Sequence, residues 1–340
     1  MTSLNNPINK REHLFRRLAL LTVITIYLLV LAGGIVRSTG SGMGCPDWPR
    51  CFGRWVPPTE VSQLPPNYQE IYGAKLKGEI EFNAVKTWIE YVNRLLGAFS
   101  GLLVFALLVV SIPFLRKDKR VFYGSLLSFV LIGLNGWLGA RVVATELTPY
   151  VVTLHMLLAI LVVFALLYVM AVSYTGHVTI EAVGSKKSAL NQILLWTIIL
   201  SLLQVLIGTQ VREAIDEAIQ RLGYSERYRW IDSLDYRFYI HRSFSLVVLA
   251  FHVAVIYQLR KYVKNQGILS QLGIAMMALV VVEILTGIVL AYFAVPAAAQ
   301  PVHLTLAVVM LGLQFTALLM LNADQLLHKP AVELPHYSSI

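Results

Sequence analysis

"WIEYVNRLLG", Trp88 to Gly97, reads as the outer end of a membrane helix, yet it carries Glu90, Asn93 and Arg94. A sister stretch, "RFYIHRSFSL" from Arg237 to Leu246, has His241-Arg242 where the first has Asn93-Arg94. The two dipeptides lie 148 positions apart, and the same offset carries His155 in "VTLHMLLAI" onto His303 in "PVHLTLAVV". Two pairs at one offset, with a shared arginine, are hard to obtain by chance, so the chain reads as a tandem repeat. "GGIVR" (33–37) recurs as "GTQVR" (208–212), each closing the first helix of its half.

Composition sets the environment of that repeat. Of 340 residues, 57% are hydrophobic and 14% charged, and the mean hydropathy is +0.66, too apolar for a soluble domain. A helix rises ~1.5 Å per residue, so about 20 apolar residues cross a hydrocarbon core of ~30 Å. Eight such runs are present, near 15–36, 88–112, 121–142, 150–174, 190–211, 237–260, 270–293 and 301–323. The first is too long for a cleavable signal peptide and lacks a small-residue cleavage site, so it is expected to be retained. The expected fold is an all-α integral membrane protein whose eight transmembrane helices form two pseudo-symmetric four-helix bundles. The joint falls near Gly176, giving halves 1–176 and 177–340, parallel repeats about an axis along the membrane normal.

Lys10, Arg11, Arg16, Arg17, "RKDKR" (116–120), Lys186, Lys187, "RKYVK" (260–264) and Lys329 all fall on one side of eight spans. By the positive-inside rule that side is the cytoplasm, with both termini there, in the inner membrane of the cell. The net charge of +9 is then topology and contact with anionic lipid, and nucleic acid is not an expected partner. Residues 37–87 form a long outer loop. In 212–236, "VREAIDEAIQRL" (211–222) reads as an amphipathic surface helix. The two cysteines, Cys45 and Cys51, lie in the first outer loop, an oxidising compartment. A disulfide is the first reading there, ahead of a two-cysteine metal site, for which no nearby histidine supplies ligands, and of two free thiols.

Ionisable side chains inside a membrane are costly and mark function. His155, His241 and His303 sit one or two turns below the outer ends of their spans. A lone histidine there would most simply cap a carbonyl, whereas two on facing helices of a bundle can hold haem, one imidazole per face of the iron. His241 and His303 are read as such a pair, with zinc or copper as weaker readings. Arg37, Arg94, Arg141, Arg212 and Arg242 lie at outer helix ends, suited to haem propionates or to lipid phosphate. His252, three turns below His241, is placed to meet Glu283, as a structural pair or as a proton- or quinol-linked site. His13, His177, His328 and His336 fall in cytoplasmic segments. The first half has Asn93 in place of a second ligand, with Glu90 one turn before it, where the second half has Phe238. One half therefore reads as a closed coordination shell, the other as a single histidine with an open face beside an acid.

"GGIVRSTGSGMGCPDWPRC", "EYVNR", "TLHMLLA", "IHRSFS" and "PVHLTLA" resemble signatures of the haem A synthase family, over essentially the whole chain. The resemblance implies an eight-helix membrane oxidoreductase that oxidises the C8 methyl of haem O to the formyl of haem A, for the terminal oxidase. It implies that His241 and His303, with Arg242 and Arg212, hold a haem b cofactor. His155, with Arg94, Arg37 and Arg141, would serve the substrate haem. Glu90 matches the acid of the family's glutamate-tyrosine-x-histidine-arginine motif, and Cys45 and Cys51 match its outer-loop disulfide pair. Asn93 departs from that motif, where many relatives have histidine. Glu90 and Asn93 are the candidate catalytic residues. The implied partners are a haem O synthase as supplier, an electron donor and membrane lipid, with self-association left open. The rival readings are a diheme quinol-linked cytochrome b, which would need two ligands in each half, and a haem-transfer protein without chemistry.

Overall fold

The computed structural model describes residues 7–73, 81–174, 186–262 and 267–326. The joint at Gly176, and with it His177, Lys264, His328, Lys329 and His336, lies outside the described residues. Eight long helices carry the architecture: α1 Pro7–Ser38, α2 Ala84–Ser111, α3 Lys119–Ala144, α4 Pro149–Ser173, α5 Lys187–Leu222, α6 Tyr236–Tyr262, α7 Ile268–Tyr292 and α8 Ala299–Leu321. All eight are long and apolar enough to cross a membrane. The protein is an all-α integral membrane protein. Among the described residues the only extended pairing is the isolated bridge Cys51–Arg54, inside the first outer loop.

Local chemistry sets the helix ends. Asn83 caps α2 by accepting from the Lys86 backbone N–H, and Asp118 caps α3 by accepting from that of Arg120. Pro149 opens α4, where its missing N–H costs nothing. Gly223, at φ 74°, ends α5 in a conformation that glycine adopts freely. The stretch 211–222, expected as a separate surface helix, is instead the continuation of α5, which runs unbroken for 36 residues. Its apolar face, Ala214, Ile215 and Ala218, packs on Trp230, Leu234 and Val295, which leaves no reason for the helix to break.

Helices α1, α2, α3 and α4 pack in a closed ring, and α5, α6, α7 and α8 in another; α1 against α8, α4 against α8 and α4 against α5 join them. The helices that carry His155 and His303 are central: 56% of the apolar window of α4 and 50% of that of α8 is buried, against 11% for α7. Packing density differs sharply between the two ends. One end is a dense core of Phe15, Leu107, Leu166, Leu194, Leu259 and Leu311. Toward the other end, α6 has no buried side chain from Tyr236 to Phe251, α7 none after Val280, and α8 none between Pro301 and Val308. All three histidines lie in this loosely packed end.

Polar contacts at the dense end tie the inner helix termini together. Arg16 donates to the Ser173 carbonyl at 3.0 and 2.6 Å, Glu12 pairs with Lys117, and Lys187 pairs with Asp324 at 2.6 Å. That pairing holds the Asp324 carboxyl below its ordinary range. The segments expected on one side of the membrane are therefore at one end of the molecule.

Candidate functional site

In the second ring, His241 projects from α6 and His303 from α8, within electrostatic reach of each other. Each ring rests on a glycine of the neighbouring helix. A Cβ at Gly208 would lie 3.2 Å from Cε1 of His241, and one at Gly287 would lie 3.7 Å from Cε1 of His303. A side chain at Gly208 would press on the His241 imidazole, whereas at Gly287 a methyl would only touch that of His303. His303 Nδ1 lies 2.7 Å from Glu283 Oε2 and 2.8 Å from Thr286 Oγ1. Glu283, Thr286 and Gly287 follow i, i+3, i+4 spacing, so α7 presents all three on one face. His241 has no such partner: its Nδ1 is buried without a hydrogen bond. Gln204 Nε2 donates to the His241 carbonyl at 3.0 Å and fixes the backbone instead.

The first ring repeats half of this arrangement. His155 rests on Gly139, whose Cβ would lie 3.2 Å from its Cε1, and its Nδ1 is buried without a partner. Gly139 and Gly287 are 148 positions apart, as are Asn135 and Glu283. The position behind the histidine is thus an amide in one ring and a carboxylate in the other. Asn135 Oδ1 is buried without a hydrogen bond. Opposite His155 the repeat has Asn93, and Gly33 stands where the second ring has Gly208. Nothing lies within 4 Å of a Cβ built on Gly33, so the glycine seat is present with no ring upon it. An open groove of about 570 Å³ runs between α1 and α2 nearby, lined by Ala32, Ile35, Val85, Trp88, Val92 and Asn93. Trp88 Nε1 and Asn93 Oδ1 are both buried without a hydrogen-bond partner.

Glu90 is buried one turn from Asn93 but is turned to the outer loop. Its Oε2 accepts from the Cys45 N–H at 2.8 Å, and its Oε1 accepts from Arg94 Nε at 3.1 Å and Nη2 at 2.5 Å. Arg94 also donates to the carbonyls of Cys45 (2.8 Å), Asp47 (2.7 Å) and Arg50 (3.0 Å). Cys45 and Cys51 are joined in a disulfide, buried with Phe52, Leu64 and Tyr68 in a small core. Glu90 and Arg94 therefore clamp the disulfide loop onto α2.

The sequence profile of the COX15-CtaA family, cytochrome oxidase assembly proteins, matches residues 16–315. The chain belongs to this family. Similar proteins named heme A synthase include one from Shewanella oneidensis, 29% identical over 137 residues, covering 40% of this chain and 39% of that protein. One from Bartonella bacilliformis is 30% identical over 177 residues, covering 48% and 49%. One from Orientia tsutsugamushi is 22% identical over 333 residues, covering 86% and 92%. The chain thus spans less than half the length of the first two relatives and nearly all of the third.

Two imidazoles in the second ring and one in the first, without further ligands, suit one class of group. Among the described residues no three of His, Cys, Asp and Glu converge as a metal cluster, whereas a structural zinc needs four protein donors. A porphyrin brings four nitrogens of its own and asks the protein for one or two axial ligands. No hydrogen bond occupies Nε2 of His155, His241 or His303 among the described residues, so the donor set of this COX15-CtaA chain fits haem.

The other expected residues fall elsewhere. Asp216 bridges Arg37 (3.1 Å) and Arg212 (2.7 Å), and Arg212 also donates to the Arg37 carbonyl at 3.2 Å. These counterparts from α1 and α5 thus fasten the two rings to each other. Arg242 lies over Phe238 and Tyr239, 5.8 and 5.5 Å from their centroids, and Arg141 is exposed. His252 does not meet Glu283. Its Nδ1 donates to the Val248 carbonyl at 2.7 Å and its Nε2 accepts from Gln314 at 2.7 Å. Glu283 faces α8 at the level of His303, while His252 faces the seam of α5 and α8, where Gln314 also donates to Ser201 at 2.9 Å. Sequence reasoning missed Asn135, Asp216, Gln314 and the glycine seats. Applying the 148-residue offset to every polar residue of the spans would have paired Asn135 with Glu283.

Proposed function

We propose that this chain is a haem A synthase, a membrane oxidoreductase that converts the C8 methyl of haem O to a formyl group. The carrying observation is the unequal pair of histidine sites: a two-histidine site in the second ring, and in the first a single histidine and a glycine seat with no ring upon it. Family membership and the relatives' names support the same reading. In this assignment residues 177–340 form the cofactor half, with haem b between His241 and His303. Residues 1–176 form the substrate half, with haem O on His155. Haem b supplies one-electron transfer when bound. Asn93, an amide and a poor iron ligand, keeps the second face of the substrate haem accessible. The methyl is hydroxylated twice; in each round O2 takes two electrons and two protons from the donor, one oxygen atom enters the C–H bond and the other leaves as water, and the geminal diol then loses water to give the aldehyde.

Glu90 and Arg94 close the outer loop over the substrate half through the disulfide, which excludes water and holds an acid one turn from the open face. Arg141 and Arg242, which have no carboxylate partner among the described residues, are placed for propionates; Arg37, Arg94 and Arg212 are engaged within the protein. The basic end faces the cytoplasm, in the cell's inner membrane, and a haem O synthase and an electron donor complete the reaction.

Extraction of the bound pigments and their separation by chromatography test the assignment. Haem b together with haem O, haem A or a hydroxylated intermediate is the expected result. Haem b alone, after co-expression with a source of haem O, would overturn it in favour of an electron carrier or a haem-transfer protein.

A further inference from the structure

Glu283 is an acid in the middle of a membrane span, with a side chain 17% exposed and one carboxylate oxygen, Oε1, buried without a partner. An acid in that position is costly. Its other oxygen lies 2.7 Å from His303 Nδ1. Thr286 Oγ1 donates to the Glu283 carbonyl at 2.9 Å, so its lone pairs face the same Nδ1 at 2.8 Å. Two acceptors on one ring nitrogen fix the Nδ1–H tautomer and turn the Nε2 lone pair away from α7. The first ring has none of this: the counterparts of Glu283 and Thr286 are Asn135 and Leu138, and His155 Nδ1 is unpaired. His241 Nδ1 is unpaired as well.

We propose that Glu283 is a positioning residue of the second site: its carboxylate, with Thr286, orients His303 and makes Nε2 the most electron-donating of the three histidine nitrogens. A carboxylate behind a ligating histidine raises the basicity of the ligand and stabilises the oxidised metal. The consequence is a lower reduction potential at the second site than an amide-backed histidine would give. The two rings thus differ in open faces and also in the charge behind the ligand. The inference rests on the haem assignment made above, and its test keeps the two apart.

The experiment is an optical redox titration of the purified, haem-loaded protein with low-temperature electron paramagnetic resonance, for wild type, Glu283→Gln, Glu283→Asp and Thr286→Val. Glu283→Gln is expected to keep a low-spin haem but to raise its midpoint potential. At the wild-type midpoint its reduced-to-oxidised ratio should move from one to about ten, which is about 59 mV for one electron. Glu283→Asp should restore part of the shift, and Thr286→Val should shift the potential the same way by less. A ratio within twofold of wild type in Glu283→Gln, with unchanged resonance positions, overturns the inference while leaving the haem assignment intact. Should Glu283→Gln not accumulate, an unshifted potential in Thr286→Val overturns it equally. Persistence of the low-spin haem in His303→Ala would instead defeat the haem assignment.

Discussion

The two rings are built from one plan and differ at four places around their histidines. Across the repeat His241 stands against Asn93, Glu283 against Asn135, Thr286 against Leu138 and Phe238 against Glu90. The glycine seats are kept: Gly208 carries His241, Gly139 carries His155, and Gly33 carries nothing. The glycine seat is therefore common to both rings, while the side chain opposite it is His241 in one and Asn93 in the other. The second ring concentrates two histidines and a carboxylate behind one of them. The first concentrates an open seat and a clamp to the outer loop.

The sharpest way to break this contrast is to remove a ligand. His303→Ala and His241→Ala are each expected to abolish the low-spin haem of the second ring, since one imidazole cannot hold both faces of an iron. Visible spectra of purified protein check this, and an unchanged low-spin spectrum in both variants would remove the basis for calling the second ring the cofactor half.

Next in size is Glu90→Gln. The carboxylate accepts from the Cys45 N–H and from two Arg94 nitrogens. An amide has one acceptor oxygen, so its NH2 must face a donor. Conversion of haem O should fall by roughly 10²-fold, the scale of a lost acid–base group, while haem content stays near wild type. Near-normal product formation would leave Glu90 with the loop clamp alone.

Asn93→His tests the empty seat directly. A ring there should settle over Gly33 as His241 does over Gly208. The substrate haem should turn from high-spin or water-ligated, and open to carbon monoxide when reduced, to low-spin and closed. A wild-type substrate haem already held by two nitrogen ligands would mean that another side chain closes the site.

The eight spans were legible in the sequence because length and hydropathy decide what crosses a membrane, and these are local properties. The repeat was legible because a fixed offset survives in numbering. What a buried side chain faces is set by the rotation of its helix against neighbours far away in sequence. Hence His252 was matched to Glu283 by depth, when the helix faces direct it to Gln314. Hence also nothing in the sequence showed that the Glu90 oxygens are held by a loop 45 residues away in sequence. The break expected near Val211 failed for a related reason: Ala214 and Ala218 find a packing partner in Trp230, which no local pattern announces.

A smaller effect is expected at the disulfide. Cys45→Ser frees a loop with a sequence separation of six, which in the chain-entropy view costs about 2 kcal/mol. Because the loop is also held by Glu90 and Arg94, the helices should stay folded, with the loss confined to faster proteolysis within 44–52. A cooperative fall in the melting temperature of the whole protein would show that the loop is coupled to the rings more tightly than the clamp suggests.

The smallest effect is expected deep in the second ring. There Ser201, His252 and Gln314 form a buried hydrogen-bonded set, and their first-ring counterparts are Ile26, Val104 and Leu166, all buried and apolar. The first ring shows that this layer can be filled without polar groups. Gln314→Leu alone should destabilise by about 1–3 kcal/mol, because it strands the His252 Nε2 acceptor in an apolar layer. The triple replacement Ser201→Ile, His252→Val, Gln314→Leu removes every polar atom of the set at once and imports the packing of the other ring. It should be near neutral, since replacing both partners by apolar groups of matching shape costs little. Thermal melts of the single and triple variants, read beside their haem spectra, make the comparison. Equal destabilisation in both, or a loss of the second-ring haem in the triple variant only, would mean that the histidine–amide set does more for the second ring than fill space.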